Sequence, residues 1–252
     1  MNFSTITTTI VKFIKIEHKK RQKQGVVIGL SGGLDSSVVA SLAVNAIGAK
    51  NVFGIIIPDY NVTPMNDVFD ALELARKLKI KSRIMDISDV KNQFLKYLYP
   101  NEFATGNLTA RLRMCVLYYY AGIMNRLVLG TTDKSELELG YYTKHGDGAA
   151  DLLPIADLYK TQVRQLAKFL KVPDSIINKE SSPRLWVEQT AEKELGISYE
   201  KIDNILQFLD DSNRDKKSKI FNSTDLSLVQ SIVKKNYHKK IPAPICVLPK
   251  NI

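Results

Sequence analysis

Three observations predict an α/β fold, with a doubly wound, mostly parallel sheet and helices on both faces. Short apolar, β-branched runs alternate with stretches of helical periodicity, glycine or proline ends the runs, and the first run opens into a glycine-rich turn. In order, Ile6, Ile10, Phe13 and Ile14 recur at helical spacing and predict a first helix, closed by Gly25. Residues 26–30 form a continuous apolar run, as expected of a strand buried on both faces. Residues 35–47 then return to helical spacing. The unit repeats with a strand over 51–57, a helix over 65–78, a strand over 82–87 and an amphipathic helix over 89–98.

Residues 105–124 predict a helix with two apolar stripes. Leu108, Leu112, Cys115 and Tyr119 form one, and Met114, Leu117, Tyr118 and Ala121 the other. A helix apolar on two faces must be covered twice. The sheet covers one face, and a second copy of the chain is the expected cover for the other, giving a homodimer. Cys115 reads as core packing. A fourth strand follows over 126–129. Beyond Gly130 the pattern gives way to a long polar loop (135–157), a helix over 158–170, a loop over 181–186 and a last helix over 226–235. The charged stretch 211–219 reads as mobile. No linker divides the chain, so residues 1–252 are expected to form one domain, with a helical, basic C-terminal segment over 211–252.

Composition narrows the function classes. No apolar run approaches the roughly 20 residues that span a bilayer, and the first residues lack the apolar block of a secretory signal. Two cysteines and three histidines show no metal-ligand spacing and fit reduced thiols in the cytoplasm. The net charge of +10 suits a polyanionic ligand as well as nucleic acid. Much of the excess lies in residues 15–23 and 214–240, where solvated helix faces account for it equally well.

The chemistry is concentrated after the first strand. Glycines there let the backbone turn sharply and approach a ligand, and the next helix aims free amides and the positive end of its dipole at the same point. Ser31, Ser36 and Ser37 add hydroxyls. The arrangement suits phosphate but lacks the Gly-Lys-Ser/Thr ending of a P-loop. Asp35 would repel a bare phosphate, and a bridging Mg²⁺ resolves that conflict. A plain strand-to-helix turn, with Ser and Asp as caps, is the alternative. The hexapeptide Ser31-Gly32-Gly33-Leu34-Asp35-Ser36 in its strand-loop-helix setting weighs against it, and resembles the pyrophosphate loop of the ATP pyrophosphatase superfamily. That resemblance implies AMP-forming cleavage of ATP.

Further motifs narrow the resemblance: 106–114 around Arg111, Gly130-Thr131-Thr132-Asp133-Lys134-Ser135-Glu136, the Gly-rich 140–154, Lys160-Thr161-Gln162-Val163, 179–185, and His238-Lys239. Their order resembles the ammonia-dependent form of the NAD⁺ synthetase family over residues 25–240. The resemblance implies Mg²⁺ held by Asp35 and Glu136, and ATP bound by Gly29, Leu30, Ser31, Gly32, Gly33, Leu34, Asp35, Ser36, Thr131, Lys160 and Ser182. It implies deamido-NAD⁺ bound by Arg111, Lys144, Asp151, His238 and Lys239, with Asp35 and Lys160 acting in catalysis. Asp133 or Asp147 stands where a proton from ammonia could be accepted. Ammonia, not glutamine, is the expected nitrogen source, because the synthetase motifs occupy nearly the whole chain. A tRNA-modifying pyrophosphatase fits the charge, but neither a nucleic-acid module nor catalytic thiols are evident. Ala149, Ser181, Pro183 and Ala191 depart from the family pattern.

Overall fold

The structure, a computed structural model, describes residues 1–210 and 221–248. The stretch expected to be mobile (211–219), and with it part of the C-terminal segment, therefore lies outside the described residues. The chain starts with α1 (Phe3–Lys20), β1 (Val26–Gly29), α2 (Leu34–Ile47), β2 (Val52–Ile56), α3 (Met65–Lys77) and β3 (Lys81–Ile84). Next come α4 (Ser88–Leu95), α5 (Glu102–Ile123) and β4 (Leu127–Leu129). The strands form a parallel sheet in the order β3-β2-β1-β4, with Val26 opposite both Val52 and Leu127. β1 and β4 are neighbours although two strands separate them in sequence. The strand order therefore reverses at this pair, and in open α/β sheets the crevice beyond such a reversal binds ligands.

Alternation along β1 sorts its side chains between two layers. Val26 and Ile28 pack with Val38 and Leu42 of α2, together with α1 and α3. Val27 points to the opposite layer, with Val116, Tyr120 and Ala121 of α5. β3 is an exposed edge carrying Lys81 and Arg83, charges that discourage pairing with another chain.

Past β4 come α6 (Lys134–Leu139), α7 (Lys160–Phe169), α8 (Asp174–Ile177), α9 (Ala191–Leu195), α10 (Tyr199–Asp210) and α11 (Ser223–Asn236). Val163, Leu166 and Ile176 of α7 and α8 join the core around α2, while Leu139, Leu195, Ile202, Ile205, Leu206 and Val229 form a separate apolar cluster among α6, α9, α10 and α11. Two expectations need correction. Residues 134–139, read as the start of a long loop, form a helix because Asp133 and Glu136 make a reciprocal capping box. The Glu136 amide donates to Asp133 Oδ1 at 2.8 Å, and the Asp133 amide to Glu136 Oε2 at 3.3 Å. Gly140, at φ +64°, ends it in the left-handed conformation. Cys115, expected in the core, is exposed, because α5 sets Val116 and Tyr120 against the sheet and turns Cys115 outward. Tyr119 (65% exposed) and Ile123 (62%) lie along the same outward side. Among the described residues, no helix is long and apolar enough to cross a membrane.

Candidate functional site

A pocket opens at the carboxyl ends of β1 and β4, where the strand order reverses. Gly29, Leu30, Ser31, Gly33, Leu34, Asp35 and Ser36 form one wall, and Thr131, Thr132 and Glu136 another. Ser182 and its loop close the rim. The first turn is held by its own hydroxyls. Ser36 and Ser37 donate to the Gly33 carbonyl (3.1 and 2.7 Å), and the Gly33 amide donates to Ser31 Oγ (3.2 Å). Gly33 is the N-cap of α2 and no side chain caps it, so the helix end is available to an anion. Gly32 must be glycine. Its φ is +71°, and a Cβ there would lie 2.1 Å from the Asp67 carbonyl oxygen.

Behind this wall stands a buried charge cluster. Lys160, the first residue of α7 and 1% exposed, places Nζ at 2.8 Å from Asp35, 2.8 Å from Asp133 and 2.7 Å from Glu136. Burial works against a charged Lys160, but the three carboxylates outweigh it and hold the ammonium well above its ordinary pKa. Burial raises Asp133 to about 6 despite the pull of Lys160, and raises Glu136 well above the usual carboxylate range. One ammonium thus faces three carboxylates whose oxygens lie within 4.8 Å of one another. Asp35 Oδ1 is buried with no hydrogen-bond partner, and Asp133 Oδ2 has only its ion pair with Lys160. Hard oxygen donors in charge excess, with Asp35 Oδ1 wholly unmet, fit a divalent cation such as Mg²⁺. Asp35 and Glu136, which also line the pocket, are the residues placed to share it with a phosphate.

The residues singled out in the sequence fall into three groups. The first loop, Thr131, Glu136 and Ser182 meet around the pocket, while Lys160 and Asp133 stand one layer behind it. Arg111, Lys144, His238 and Lys239 gather in a second place. Arg111 donates to the Lys144 carbonyl (3.2 Å), Lys144 to the His238 carbonyl (3.0 Å), and Lys239 to the carbonyls of Gly140 and Tyr142 (2.7 and 2.9 Å). Asp151 does not join them within this chain. Its exposed carboxylate accepts the Val128 amide (2.7 Å) beside Phe13 and Glu17 of α1 and Arg21 just after it. Of the two candidate proton acceptors, Asp147 lines the pocket and Asp133 does not. Partial desolvation by the surrounding loop raises the Asp147 carboxyl pKa, although the residue keeps access to solvent at the pocket.

Sequence reasoning missed several residues here. Asp67 on α3 accepts from Lys179 (2.6 Å) and Arg184 (3.0 Å), and Lys179 also donates to the Gly32 carbonyl (3.0 Å). The rim loop is thereby tied to the phosphate turn. Arg113 reaches from α5 to the Ile57 carbonyl (3.1 Å) and lines the pocket. Lys179 and Arg113 lie inside the 179–185 and 106–114 motifs, but Asp67 carries no signal beyond a helix's first turn. Ala149, Ser181, Pro183 and Ala191, the departures from the family pattern, all line the pocket.

Comparison with known proteins agrees with this geometry. The NAD synthase family profile matches residues 6–243. A protein of Staphylothermus marinus named NH(3)-dependent NAD(+) synthetase is 44% identical over 248 residues, covering 96% of this chain and 90% of its own length. The solved NH3-dependent NAD synthetase of Campylobacter jejuni, in complex with the nitrate ion, superposes with a TM-score of 0.85 at 34% identity over 98% of this chain and 100% of that one. The NMN synthetase of Francisella tularensis superposes with a TM-score of 0.87 at 35% identity over 99% of each chain.

Proposed function

The chain belongs to the NAD synthase family, and we propose that it makes NAD⁺ from deamido-NAD⁺, ATP and ammonia, releasing AMP and pyrophosphate. A nicotinate carboxylate oxygen attacks the α-phosphorus of ATP, and the bond to pyrophosphate breaks. Ammonia then attacks the acyl carbon of the adenylate and AMP leaves. The observation that carries this reading is the meeting of an uncapped helix end, Thr131 and the Asp35–Glu136 carboxylates in one pocket at the strand reversal.

In this reading the turn from Gly29 to Ser36 binds the phosphates with amides and hydroxyls, with Thr131 and Ser182 as further ATP contacts. Asp35 and Glu136 hold Mg²⁺, which when bound offsets the negative charge of ATP's phosphates. Lys160 keeps the two carboxylates together and adds its own charge from behind. Asp147 takes the proton lost by ammonia, since it faces the pocket and Asp133 does not. No side chain acts as a covalent nucleophile. Positioning and charge neutralisation supply the rate.

Arg111, Lys144, His238 and Lys239 bind deamido-NAD⁺, whose pyrophosphate suits such a basic group. The chain works as a cytoplasmic homodimer packed through α5, whose exposed Tyr119 and Ile123 a partner would cover. Asp151, exposed in the single chain, completes the dinucleotide site in that assembly. Residues 1–252 act as one synthetase domain, without nucleic-acid or membrane partners. Sedimentation at micromolar concentration is expected to give a dimer, and a folded, active monomer overturns that part of the proposal.

The deciding assay supplies ATP, Mg²⁺, ammonia and deamido-NAD⁺ and measures NAD⁺, AMP and pyrophosphate. Equal amounts of the three products are expected. ADP in place of AMP, or no product from folded protein, overturns the reading. The likeness to an NMN synthetase favours a second reading in which nicotinate mononucleotide is the acid amidated. Higher kcat/KM with that mononucleotide than with deamido-NAD⁺ would select it.

A further inference from the structure

Three hydrogen bonds outside the pocket fix where Lys160 stands. Asp203, on α10 and 1% exposed, accepts from the Ser135 hydroxyl at 2.5 Å and from the Thr161 amide at 2.8 Å. Ser135 Oγ in turn accepts from the Lys160 amide at 2.9 Å. Lys160 and Thr161 are the first two residues of α7, so their amides have no partner within the helix. Asp203 and Ser135 supply from other helices the acceptors that a cap residue usually provides.

The position of Ser135 gives the arrangement its consequence. It lies on α6 between Glu136 and the N-cap residue Asp133, and all three side chains bond to Lys160 or its amide. The backbone of Lys160 is thus tied to the helix whose carboxylates hold its ammonium. One turn before Asp203 on α10, the Tyr199 ring covers that ammonium at 5.3 Å. α10 therefore touches both ends of Lys160.

Packing does not account for a carboxylate at position 203. Ile202, Ile205 and Leu206 already anchor α10 in the apolar cluster. Burying an aspartate costs stability unless its oxygens are met, and here each oxygen is met by a first-turn group of α6 or α7. We infer that Asp203 is a positioning residue for the adenylation step, holding Lys160 in register with Asp35 and Glu136 through Ser135 and the start of α7. The inference rests on the proposed function, in which those carboxylates sit at the phosphates of ATP.

The test uses Asp203→Ala, Asp203→Asn and Ser135→Ala with two readouts. Acetylation of Lys160 by acetic anhydride, followed by mass spectrometry, reports its placement whether or not the protein turns over. Wild type is expected to be protected, and Asp203→Ala to be labelled about tenfold faster while still folded by circular dichroism. Displacing a catalytic group by about 1 Å costs about 10²-fold, so kcat of Asp203→Ala should fall by about that factor, with KM for deamido-NAD⁺ within about twofold. Asp203→Asn keeps one acceptor for the Thr161 amide and should recover part of the loss. Ser135→Ala should lower kcat by about tenfold. Unchanged Lys160 protection, or wild-type kcat in the folded variants, overturns the inference. If Asp203→Ala does not fold, the same two outcomes in Asp203→Asn and Ser135→Ala decide. Absence of turnover in the wild type counts against the proposed function, and the labelling result then decides the placement of Lys160 alone.

Discussion

Asp35→Ala is expected to lower turnover by about 10²–10³-fold, the cost of removing one preorganised charge-stabilising group, while the fold remains. Asp35 is in the first turn of α2, where a carboxylate contributes about 0.3–1 kcal/mol through the helix dipole, and its loss still leaves the Lys160 ammonium paired with Asp133 and Glu136. The helix itself is anchored by Val38, Val39, Leu42 and Ala43, all fully buried. The catalytic loss, about 2.7–4 kcal/mol, therefore exceeds the stability loss several-fold, and the two separate in one experiment. Asp35→Asn keeps the size and removes the charge, so it should fall with Asp35→Ala if the carboxylate acts as a cation ligand. A further check is the Mg²⁺ concentration for half-maximal rate, which should rise in both variants. Full activity in Asp35→Asn would remove Asp35 from the metal site. A matching fall in melting temperature and activity would return it to a structural role.

The strands and the phosphate turn were legible because their signals are local. A β-branched run such as Val26-Val27-Ile28 is apolar on both faces only if both are covered, which already implies a parallel sheet between helices. The positive φ of Gly32 and the uncapped start of α2 likewise follow from a run of six residues. α6 was equally local, since Asp133 and Glu136 have capping-box spacing, but a helix of six residues is too short for periodicity to register. α10 was missed although Ile202, Ile205, Leu206 and Leu209 share helical spacing.

Contacts made across the fold were the illegible part. The sequence placed Lys160 at the phosphates through family resemblance, whereas the structure sets it among three carboxylates behind the pocket wall. Nothing local distinguishes it from a solvated helix lysine. Asp67 and Asp203 offered no cue either, because their partners lie 112 residues away at Lys179 and 68 residues away at Ser135. Asp151 raises a different difficulty. Its place beside α1, apart from Lys144, shows that one chain does not bring the whole predicted set together.

Lys160→Met is expected to have the largest effect on stability, and the effect should depend on pH and on Mg²⁺. Removing the ammonium leaves Asp35, Asp133 and Glu136 within 4.8 Å of one another without their cation. Breaking a buried ion pair from one side typically costs about 3–5 kcal/mol, and a methionine of similar length should fill the space without a cavity. The sign of the pH effect follows from the raised carboxyls. Asp133 has a pKa of about 6 in the fold against 3.8 as an ordinary aspartate, and loss of Lys160 raises it further. A carboxyl raised in the folded state binds more protons there than in the unfolded chain, so stability falls as pH rises between the two values. With a chelator present, the deficit of Lys160→Met should be smallest near pH 4 and grow as pH rises through 6. Added Mg²⁺ should then raise the melting temperature of the variant more than that of the wild type, because the ion binds carboxylates that no ammonium neutralises. Chemical denaturation across that pH range checks the first expectation, and thermal melts with and without Mg²⁺ the second. Equal stabilities for the two proteins at every pH would mean that Lys160 does not hold these carboxylates together, and its place behind the phosphate pocket would need another explanation.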